Sequence, residues 1–360
     1  VAGSMIVHTS PKSFLLAAQR LGRELPVYKK IIGWAGLSHV DRSETLDLGF
    51  PIKILEPIPK DRFTAKTFAE VCDDAAIEII KGDMPIDVAW SGGIDSTAAL
   101  VALLKAGIDL DRLTILMLPE TPGTRRLPFR CGSVAEYPEF FKKYINGKIQ
   151  WRMVKDVRQE ICSDRLMLTG ELGDQLFGSI RLFSRFQPYL MRRPYEEVIN
   201  IDEGLYKIID ILRPFIAASP VPIVSIYDLM WWLNFGLKWQ SVSFRMLAPN
   251  RFHLYPNMRH FFGTDDFQRW SITNHHIKMQ GVDLKSYKMP AKDYIYEFTR
   301  DADYRDNKLK ERSLPAGGFG AGFCCVFDDL STLKFGAYSV EGSAFTDEIQ
   351  NQLKRKMQGQ

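Results

Sequence analysis

The chain has 360 residues, of which 46% are hydrophobic and 25% are charged, so it is long enough for two domains with a sizeable core. Its formal net charge of +4 suits a polyphosphate ligand and gives little support for a nucleic-acid partner. No apolar run reaches the ~18 residues that a membrane span needs. The five cysteines form no Cys-x-x-Cys pair, which argues against a zinc ribbon and favours reduced thiols in the cytoplasm.

The residues before Thr64 are expected to form a small N-terminal segment, 1–63. Residues 1–4 precede Met5 and look like a remnant of cloning. Met5–Val7 is predicted to be a short strand, and Ser10-Pro11 is a cap and first-turn pair that predicts a helix to about residue 23. Prolines recur through residues 26–62, where we expect hairpin or loop structure.

The most informative stretch of the sequence lies between residues 64 and 105. An amphipathic helix is predicted over Thr64–Lys81, and it leads into a short buried strand, Ile86–Trp90. A polar turn, Ser91–Ser96, follows this strand and reads SGGIDS. An Ala/Leu-rich helix is then predicted over Thr97–Lys105. This succession of strand, glycine turn and helix is how an α/β protein builds a site for an anion.

The turn itself has the composition of a phosphate site. Backbone N–H groups at a helix start attract anions, and Gly92 and Gly93 let the backbone approach a phosphate closely. Ser91 and Ser96 add hydroxyl donors. Asp95 is itself negative, so it fits a phosphate site where a divalent cation bridges it to the phosphates. The sequence therefore predicts a nucleotide site that uses a metal, with an ordinary serine-rich helix cap as the alternative.

Strands and helices alternate after this turn. The predicted elements are strands at Leu113–Leu118, Ile149–Val154 and Arg165–Thr169 and a helix at Tyr137–Tyr144. This order predicts an α/β fold, a doubly wound and mainly parallel sheet, in a core at 64–188. Ligands of such sheets bind beyond the carboxyl ends of the strands, and that is where the turn Ser91–Ser96 falls.

A second polar constellation follows the strand that ends at Thr169-Gly170. Glu171, Gly173 and Asp174 lie on a glycine-rich turn, after which the chain returns to the core. Two carboxylates that face one triphosphate need a metal between them, and Mg²⁺ takes one or two carboxylates plus phosphate oxygens. Asp174 is therefore a candidate partner of Asp95, and an ordinary turn residue is the alternative interpretation.

The two motifs carry a resemblance to a known superfamily. Ser91–Ser96 resembles the pyrophosphate loop of the N-type ATP pyrophosphatases, the PP-loop superfamily, which splits ATP into AMP and pyrophosphate. Leu166–Ser179 resembles the second signature of asparagine synthetases and β-lactam synthetases, S-G-E-G-x-D-E-x-F-G-G. The matching residues are Gly170, Glu171, Gly173, Asp174, Phe177 and Gly178, and the departures are Thr169, Leu172, Gln175 and Ser179.

The resemblance implies an adenine nucleotide α-hydrolase-like fold that takes ATP and Mg²⁺. It implies that Asp95 and Asp174 hold the metal. The ATP and pyrophosphate site would be formed by Ser91, Gly92, Gly93, Asp95, Ser96 and Gly170. The adenine would be held by the backbone of Ala89, Trp90, Leu116, Met117 and Leu118.

From about Tyr189 the pattern becomes mostly helical, which predicts a substrate-binding part at 189–312 and a tail at 313–360. The predicted helices are Ile208–Phe215, Ser225–Lys238 and Asp293–Asp301. Four aromatic residues crowd one stretch, Trp231, Trp232, Phe235 and Trp239. They favour a packed helix, and a base-stacking platform is the alternative. The resemblance extends faintly to Arg245–Phe262, at the place of the family's substrate-pocket helix and following strand.

The resemblance also implies a lysine in the C-terminal half that stabilises charge developing at the α-phosphate. The basic candidates are Lys288, Lys292, Arg305, Lys308 and Lys310. We rank Lys308 and Lys288 first as catalytic residues, and solvated surface lysines are the alternative for each. Glu171 is a third catalytic candidate, which either orients the nucleophile, accepts its proton or has a structural role.

These features predict an ATP-dependent ligase that forms a carbon–nitrogen bond and resembles asparagine synthetases. A carboxylate, or a carbonyl oxygen, attacks the α-phosphate and releases pyrophosphate, and an amine or ammonia then displaces AMP to form an amide. The residues before Thr64 are too few for the glutaminase domain of that family. The expected partners are therefore small carboxylates with ammonia, a substrate amine or a separate glutaminase as the nitrogen source.

Two other functions stay open. The same adenylation serves nucleobase and tRNA modification, in which sulfur-transfer members need a cysteine, and Cys131 or Cys162 would be the candidate here. The second alternative is a non-catalytic ATP-binding module that regulates a partner, against which the presence of Asp95 and Asp174 argues. Residues 120–135 are either a lid over the site or a surface loop.

Overall fold

The computed structural model describes residues 5–9, 15, 24–35, 40–49, 52–120, 132–178, 188–247, 254–278 and 285–309, and the backbone of two strands at 325–329 and 334–338. The predicted helix from Ser10-Pro11 to residue 23, Cys131, Lys310 and most of the 120–135 segment lie outside the described residues. None of the helices in the described ranges is long and apolar enough to cross a membrane.

The described strands form two sheets. They are β1 Met5–Thr9, β2 Ile86–Ala89, β3 Leu113–Met117, β4 Gln150–Met153, β5 Leu166–Thr169, β6 Met258–His260, β7 Cys325–Asp329 and β8 Lys334–Tyr338. One sheet has the order β4-β3-β2-β5-β6, and all of its neighbouring strands are parallel. The other has the order β1-β7-β8 and is antiparallel. The prediction of an α/β fold with a parallel sheet is confirmed.

The described helices connect and flank these strands. They are α1 Pro26–Ala35, α2 Phe68–Ile80, α3 Ile94–Lys105, α4 Ser133–Glu136, α5 Pro138–Phe140, α6 Gly173–Phe177, α7 Tyr195–Val198, α8 Glu203–Tyr206, α9 Ile209–Ala217, α10 Ile226–Trp232, α11 Trp239–Arg245, α12 Asp265–Thr273, α13 Met289–Thr299 and α14 Ala302–Asn307. Two π-helical stretches, Phe141–Ile145 and Leu233–Leu237, follow α5 and α10.

Most predicted elements are present within a few residues of their expected bounds, and two differences have clear physical causes. The predicted hairpin or loop at 26–62 is wrong in part, because α1 begins on Pro26, a residue that suits the first turn of a helix. Helix α3 begins at Ile94 rather than Thr97, since Gly93 is its N-cap. Asp95 and Ser96 therefore lie in the first turn of α3 rather than in a loop before it.

The strand order of the parallel sheet reverses between β2 and β5. β3 and β4 add to one side of β2, whereas β5 and β6 lie on the other. Ala89, the last residue of β2, is in register with Thr169, the last residue of β5. A crevice for a ligand opens at such a reversal, beyond the carboxyl ends of the strands. The two motifs, which begin at Ser91 and Gly170, therefore leave the sheet side by side.

The chain divides into two compact units, each made of separate stretches of sequence. One unit comprises residues 59–177 and 254–318, and it contains the whole parallel sheet. The other comprises residues 1–58, 178–253 and 319–360. The divisions expected after residues 63, 188 and 312 stay predictions of domain organisation.

The aromatic stretch forms the core of the second unit. The side chains of Trp231, Trp232, Phe235 and Trp239 are fully buried. The ring of Trp232 stacks on Phe215 with centroids 4.7 Å apart, and its indole N–H donates to the carbonyl oxygen of Phe215 at 2.7 Å. Packing of this kind leaves these rings no open face for a nucleobase, so the packed-helix interpretation is confirmed.

Helix α2 begins with a reciprocal capping box. The hydroxyl of Thr67 accepts the backbone N–H of Glu70 at 3.2 Å, and the carboxylate of Glu70 accepts the backbone N–H of Thr67 at 2.7 Å. These bonds satisfy donors that the helix itself leaves unpaired. The cap fixes the start of the helix whose Phe68 ring packs edge-on against Trp270, with centroids 4.8 Å apart.

We expect Thr67→Ala to lower the free energy of unfolding by about 1 kcal/mol, because it removes the hydroxyl that caps α2. Thr67→Ser keeps the hydroxyl and serves as the matched control. Chemical denaturation of the three proteins measures the difference. Equal stability of Thr67→Ala and the unaltered protein would show that the cap contributes nothing.

Candidate functional site

The turn after β2 leads directly into α3. The N–H of Trp90 donates to the carbonyl oxygen of Leu116 at 3.0 Å, which extends the pairing of β2 with β3 by one residue. Gly92 takes a φ of +75°, in the left-handed region that side chains rarely adopt. Gly93 is extended and caps the helix. The positive end of the α3 dipole therefore lies at the carboxyl edge of the sheet.

The two serines of the turn bind each other and the turn backbone. The Ser91 N–H donates to Ser96 Oγ at 3.0 Å, and the two hydroxyl oxygens lie 2.9 Å apart. Ser91 Oγ also accepts the N–H of Gly93 at 3.3 Å. These bonds hold the backbone of the predicted phosphate loop in a fixed ring.

Helix α4 forms a wall beside this turn. A Cβ atom on Gly92 would lie 2.4 Å from the carbonyl oxygen of Ser133 and 2.7 Å from Cβ of Glu136, so the backbone approach requires glycine. The N–H of Leu118 donates to Ser133 Oγ at 2.9 Å, and the Ser133 N–H donates to the carbonyl oxygen of Leu118 at 3.2 Å. The chain after β3 is thereby tied to the wall.

The residues predicted to hold adenine lie at the ends of β2 and β3. They are Ala89, Trp90, Leu116, Met117 and Leu118. Trp90 is buried, and its indole N–H donates to Thr97 Oγ1 at 3.1 Å. The carbonyl oxygen of Met117 accepts the N–H of Val154 at 2.8 Å. Because these backbone groups already serve the sheet, their role toward adenine stays a prediction.

The second motif packs against the first at two glycines. A Cβ atom on Gly170 would lie 2.6 Å from the backbone nitrogen of Ser96, and one on Gly173 would lie 2.3 Å from Asp95 Oδ1. A residue with a side chain cannot approach so closely. Asp174 stands in the first turn of α6, as Asp95 stands in the first turn of α3. The structure therefore brings the two predicted metal ligands together.

Lys288 joins the two carboxylates. Its Nζ lies 2.7 Å from Asp95 Oδ1, 2.6 Å from Asp95 Oδ2 and 2.6 Å from Asp174 Oδ1. The lysine side chain is 0% exposed, while those of Asp95 and Asp174 are 12% and 22% exposed. The hydroxyl of Tyr287 donates to Asp174 Oδ1 at 3.0 Å. Lys288 is thus a buried internal cation at the centre of the predicted metal site, and not a solvated surface lysine.

The donor set fits Mg²⁺ only with ligand oxygens added. No group of three or more His, Cys, Asp or Glu side chains within the described part of the chain is placed to hold a metal ion. Two carboxylates are what Mg²⁺ uses when nucleotide phosphates and water complete its octahedral shell. The shared contact with one ammonium shows that Asp95 and Asp174 present oxygens to a common position.

Lys308 lies elsewhere, on the wall beside Gly92. Its Nζ lies 3.2 Å from Glu136 Oε1 and also donates to the backbone oxygen of Glu136 at 3.2 Å. Both side chains are only 11% exposed. The structure therefore places the two first-ranked lysines in the same unit, each against a carboxylate that adjoins the turn Ser91–Ser96. Lys292, another candidate, is fully buried and donates to the carbonyl oxygen of Lys285 at 2.7 Å.

Tyr304 connects α14 with the turn. Its hydroxyl donates to the carbonyl oxygen of Gly92 at 3.5 Å, and its ring stacks on Tyr137 with centroids 3.9 Å apart. The hydroxyl of Tyr137 donates to Asp301 Oδ2 at 2.9 Å. Burial raises the pKa of Tyr304, and burial followed by the Asp301 hydrogen bond raises the pKa of Tyr137. Both phenols are therefore neutral hydrogen-bond donors at the wall.

Glu171 stands at the end of a short hydrogen-bonded chain. Its backbone N–H donates to Thr169 Oγ1 at 3.2 Å, and Thr169 Oγ1 lies 2.7 Å from Nδ1 of His260. The hydroxyl oxygen has two acceptor lone pairs, so it can accept from Glu171 and still pair with Nδ1 of His260 in either tautomer of the imidazole. The side chain of Glu171 is half-buried, so the structure leaves its predicted role open.

Leu172 stands where the signature that the second motif resembles has a glycine, and its backbone keeps a conformation that suits glycine. The signature has glycine here, and Leu172 takes a φ of +72°, which glycine accepts without cost. Its side chain is 1% exposed. Burial of an apolar side chain therefore holds a strained backbone conformation between Glu171 and Gly173.

Cys162, the cysteine proposed for sulfur transfer, lies on the wrong side of the sheet for that role. It precedes β5, so it belongs to the edge where the parallel strands begin, whereas Ser91 and Gly170 follow the strand ends. Burial and the adjacent Asp164 raise the pKa of its thiol, which lowers its thiolate fraction.

The sequence predictions missed four residues that surround the site, Glu136, His260, Tyr287 and Tyr304. His260 lies within Arg245–Phe262, and the strand expected there from the resemblance is the sequence signal that covered it.

Comparisons with known proteins leave the family open. No protein-family model matches the chain, and no curated protein matches its sequence. A function is therefore inferred from the two motifs and their geometry alone.

We expect Gly170→Ala to lower the free energy of unfolding by about 1 to 3 kcal/mol, because its Cβ would overlap backbone atoms at the start of α3. Gly33→Ala is the control, since nothing lies within 4 Å of the added methyl group. Alanine in this helix should raise stability by up to about 1 kcal/mol. Chemical denaturation measures the free energy of unfolding of both variants. Equal changes in the two variants would refute the close approach of the two motifs.

Proposed function

We propose that the chain is an ATP-dependent ligase that forms AMP, pyrophosphate and an amide, within an adenine nucleotide α-hydrolase-like fold of the PP-loop superfamily. The observation that carries this proposal is the meeting of Asp95 and Asp174 around one cation, directly beside a glycine turn at the N-terminus of α3. Both stand where the strand order of the parallel sheet reverses. A polyphosphate with a divalent cation is the ligand whose charges fit this combination.

The residues have separate roles in binding ATP. The turn Ser91–Ser96 holds the pyrophosphate end through its backbone N–H groups and the dipole of α3. Asp95 and Asp174 would hold Mg²⁺, which would neutralise phosphate charge when bound. Gly170 has no side chain, so the second motif can lie directly against the backbone of Ser96 in the turn. The ends of β2 and β3 receive the adenine.

The first chemical step forms an acyl adenylate. A carboxylate oxygen of the substrate attacks the α-phosphorus of ATP, and the bond to the bridging oxygen breaks as pyrophosphate leaves. Lys308 faces the turn beside Gly92, where Glu136 holds its ammonium. Its charge stabilises the transition state, and positioning with electrostatics supplies most of the rate.

The second step forms the amide. Ammonia or a substrate amine attacks the acyl carbon, AMP leaves, and the nitrogen loses a proton. Glu171 is the residue proposed to orient the amine or accept that proton, and its backbone N–H, bound to Thr169 Oγ1, positions it after the end of β5. The reduced thiols and the composition of the chain suit a cytoplasmic enzyme of this kind.

The alternatives differ in what their reactions require. Nucleobase or tRNA modification by sulfur transfer needs a reactive cysteine, and Cys162 is held as a thiol at the opposite edge of the sheet. A regulatory ATP-binding module would release no pyrophosphate.

A screen of pyrophosphate release against small carboxylates, amines, nucleotides and RNA tests the proposal. We expect release with a carboxylate, and formation of AMP and an amide on addition of ammonia or an amine. Asp95→Asn should abolish pyrophosphate release, because one metal ligand is lost. Asp111→Asn, at an exposed position, should leave the release unchanged. Dependence on RNA alone would favour the modifying enzyme. ATP binding without any release would favour the regulatory module.

We expect Lys308→Met to lower kcat by about 10² to 10³, the cost of removing one preorganised charge from a transition state. Lys142→Met, at an exposed lysine of the same unit, is the matched control. The rate of pyrophosphate release at saturating ATP measures both. An unchanged kcat in Lys308→Met would transfer the transition-state role to another residue.

A further inference from the structure

Lys288 fills the position that a metal ion shared by Asp95 and Asp174 would take. Its ammonium has three hydrogens, and it has three carboxylate contacts at 2.6 to 2.7 Å. The group is fully buried, so water does not compete for these contacts. Every donor of the ammonium is satisfied by the two predicted metal ligands.

The ammonium and a metal ion exclude each other. Mg²⁺ binds carboxylate oxygens at about 2.0 to 2.1 Å. An ion at that distance from both Asp95 and Asp174 would stand within the volume of the Lys288 ammonium, next to a like charge. The lysine has a flexible four-carbon stem, so it can withdraw while its backbone stays in place.

Withdrawal of Lys288 needs a new partner for its charge. Glu136, a carboxylate on the wall beside the turn, already binds Lys308. The phosphates of ATP bring negative charge to the turn and would supply that partner. A metal ion without nucleotide would instead leave the ammonium buried and unpaired, which is costly.

We infer that Lys288 is an internal counter-ion that makes binding of the divalent metal conditional on binding of the nucleotide. This inference rests on the metal site of the proposed function. In the empty site the ammonium neutralises Asp95 and Asp174 and keeps a metal out. When ATP arrives with its metal, the ion takes over the carboxylates and Lys288 turns to the phosphates. Metal and nucleotide are thereby coupled, and each raises the affinity for the other.

The backbone conformation of Lys288 is consistent with a side chain held in place by these ion pairs. Its φ of +60° and ψ of +33° are left-handed, a conformation that a long side chain adopts only where surrounding contacts impose it. The three carboxylate contacts and the adjoining Tyr287, which binds Asp174, are contacts of that kind.

Titration with Mn²⁺ in the absence of nucleotide, followed by electron paramagnetic resonance, tests this inference. We expect Lys288→Met to bind Mn²⁺ roughly tenfold more tightly than the unaltered protein, within the usual range of coupling between two sites. The ratio of affinities with and without α,β-methylene-ATP should fall in the variant. Lys292→Met is the matched control, because Lys292 is equally buried on α13 and binds a backbone oxygen rather than either aspartate.

Lys288→Gln provides a second variant that keeps a hydrogen-bond donor and loses the charge, in case Lys288→Met does not fold. The gain in affinity should disappear when Asp95→Asn is added to either variant. Equal nucleotide-free affinities in the unaltered protein and the Lys288 variants, or no binding in the variants, would overturn the inference. Failure of the ligase proposal is seen separately, as absence of pyrophosphate release, and leaves the metal affinities unaffected.

Discussion

Repulsion between two carboxylates is the constraint around which the site is built. Asp95 and Asp174 both contact the Lys288 ammonium, and their side chains are only 12% and 22% exposed. When both carboxylates of such a pair are ionised, a cation between them relieves their repulsion. The fold supplies Lys288 for this purpose, from a helix start 193 residues away from Asp95 in sequence. The same need for a cation makes the position suitable for a metal ion that comes with a polyphosphate.

The sheet determines why these groups meet. β2 and β5 are parallel neighbours and end in register, so the turn Ser91–Ser96 and the turn at Gly170 start from adjacent points. Glycines then allow the two turns to touch, with no side chain between Gly173 and Asp95. α4 and α14 close one side of the turn through Glu136, Lys308 and Tyr304. Charge and close packing thus meet at the single place where the strand order reverses.

Local patterns in the sequence predicted the parallel sheet and led to the expectation that the two aspartates meet. Apolar runs of strand length, glycine turns and a capping pair all act within a few residues, so β2, α3 and β5 could be read directly. The partner of Asp95 could be proposed because both motifs follow strand ends. The contact between Lys288 and these aspartates could not, since no local pattern records which distant lysine reaches a buried site. Glu136 and Tyr304 were missed for the same reason. Helix α1 was missed because the prolines that recur through residues 26–62 suggested breaks, although Pro26 starts a helix.

The distance in sequence between the members of the ion cluster has a consequence for synthesis. Asp95 and Asp174 leave the ribosome well before Lys288, and the strands that place them are complete by Thr169, apart from β6. A partly made chain that has formed this sheet therefore holds two facing carboxylates without their internal cation. Lys288, which is made later, supplies that cation through its contacts with Asp95 and Asp174.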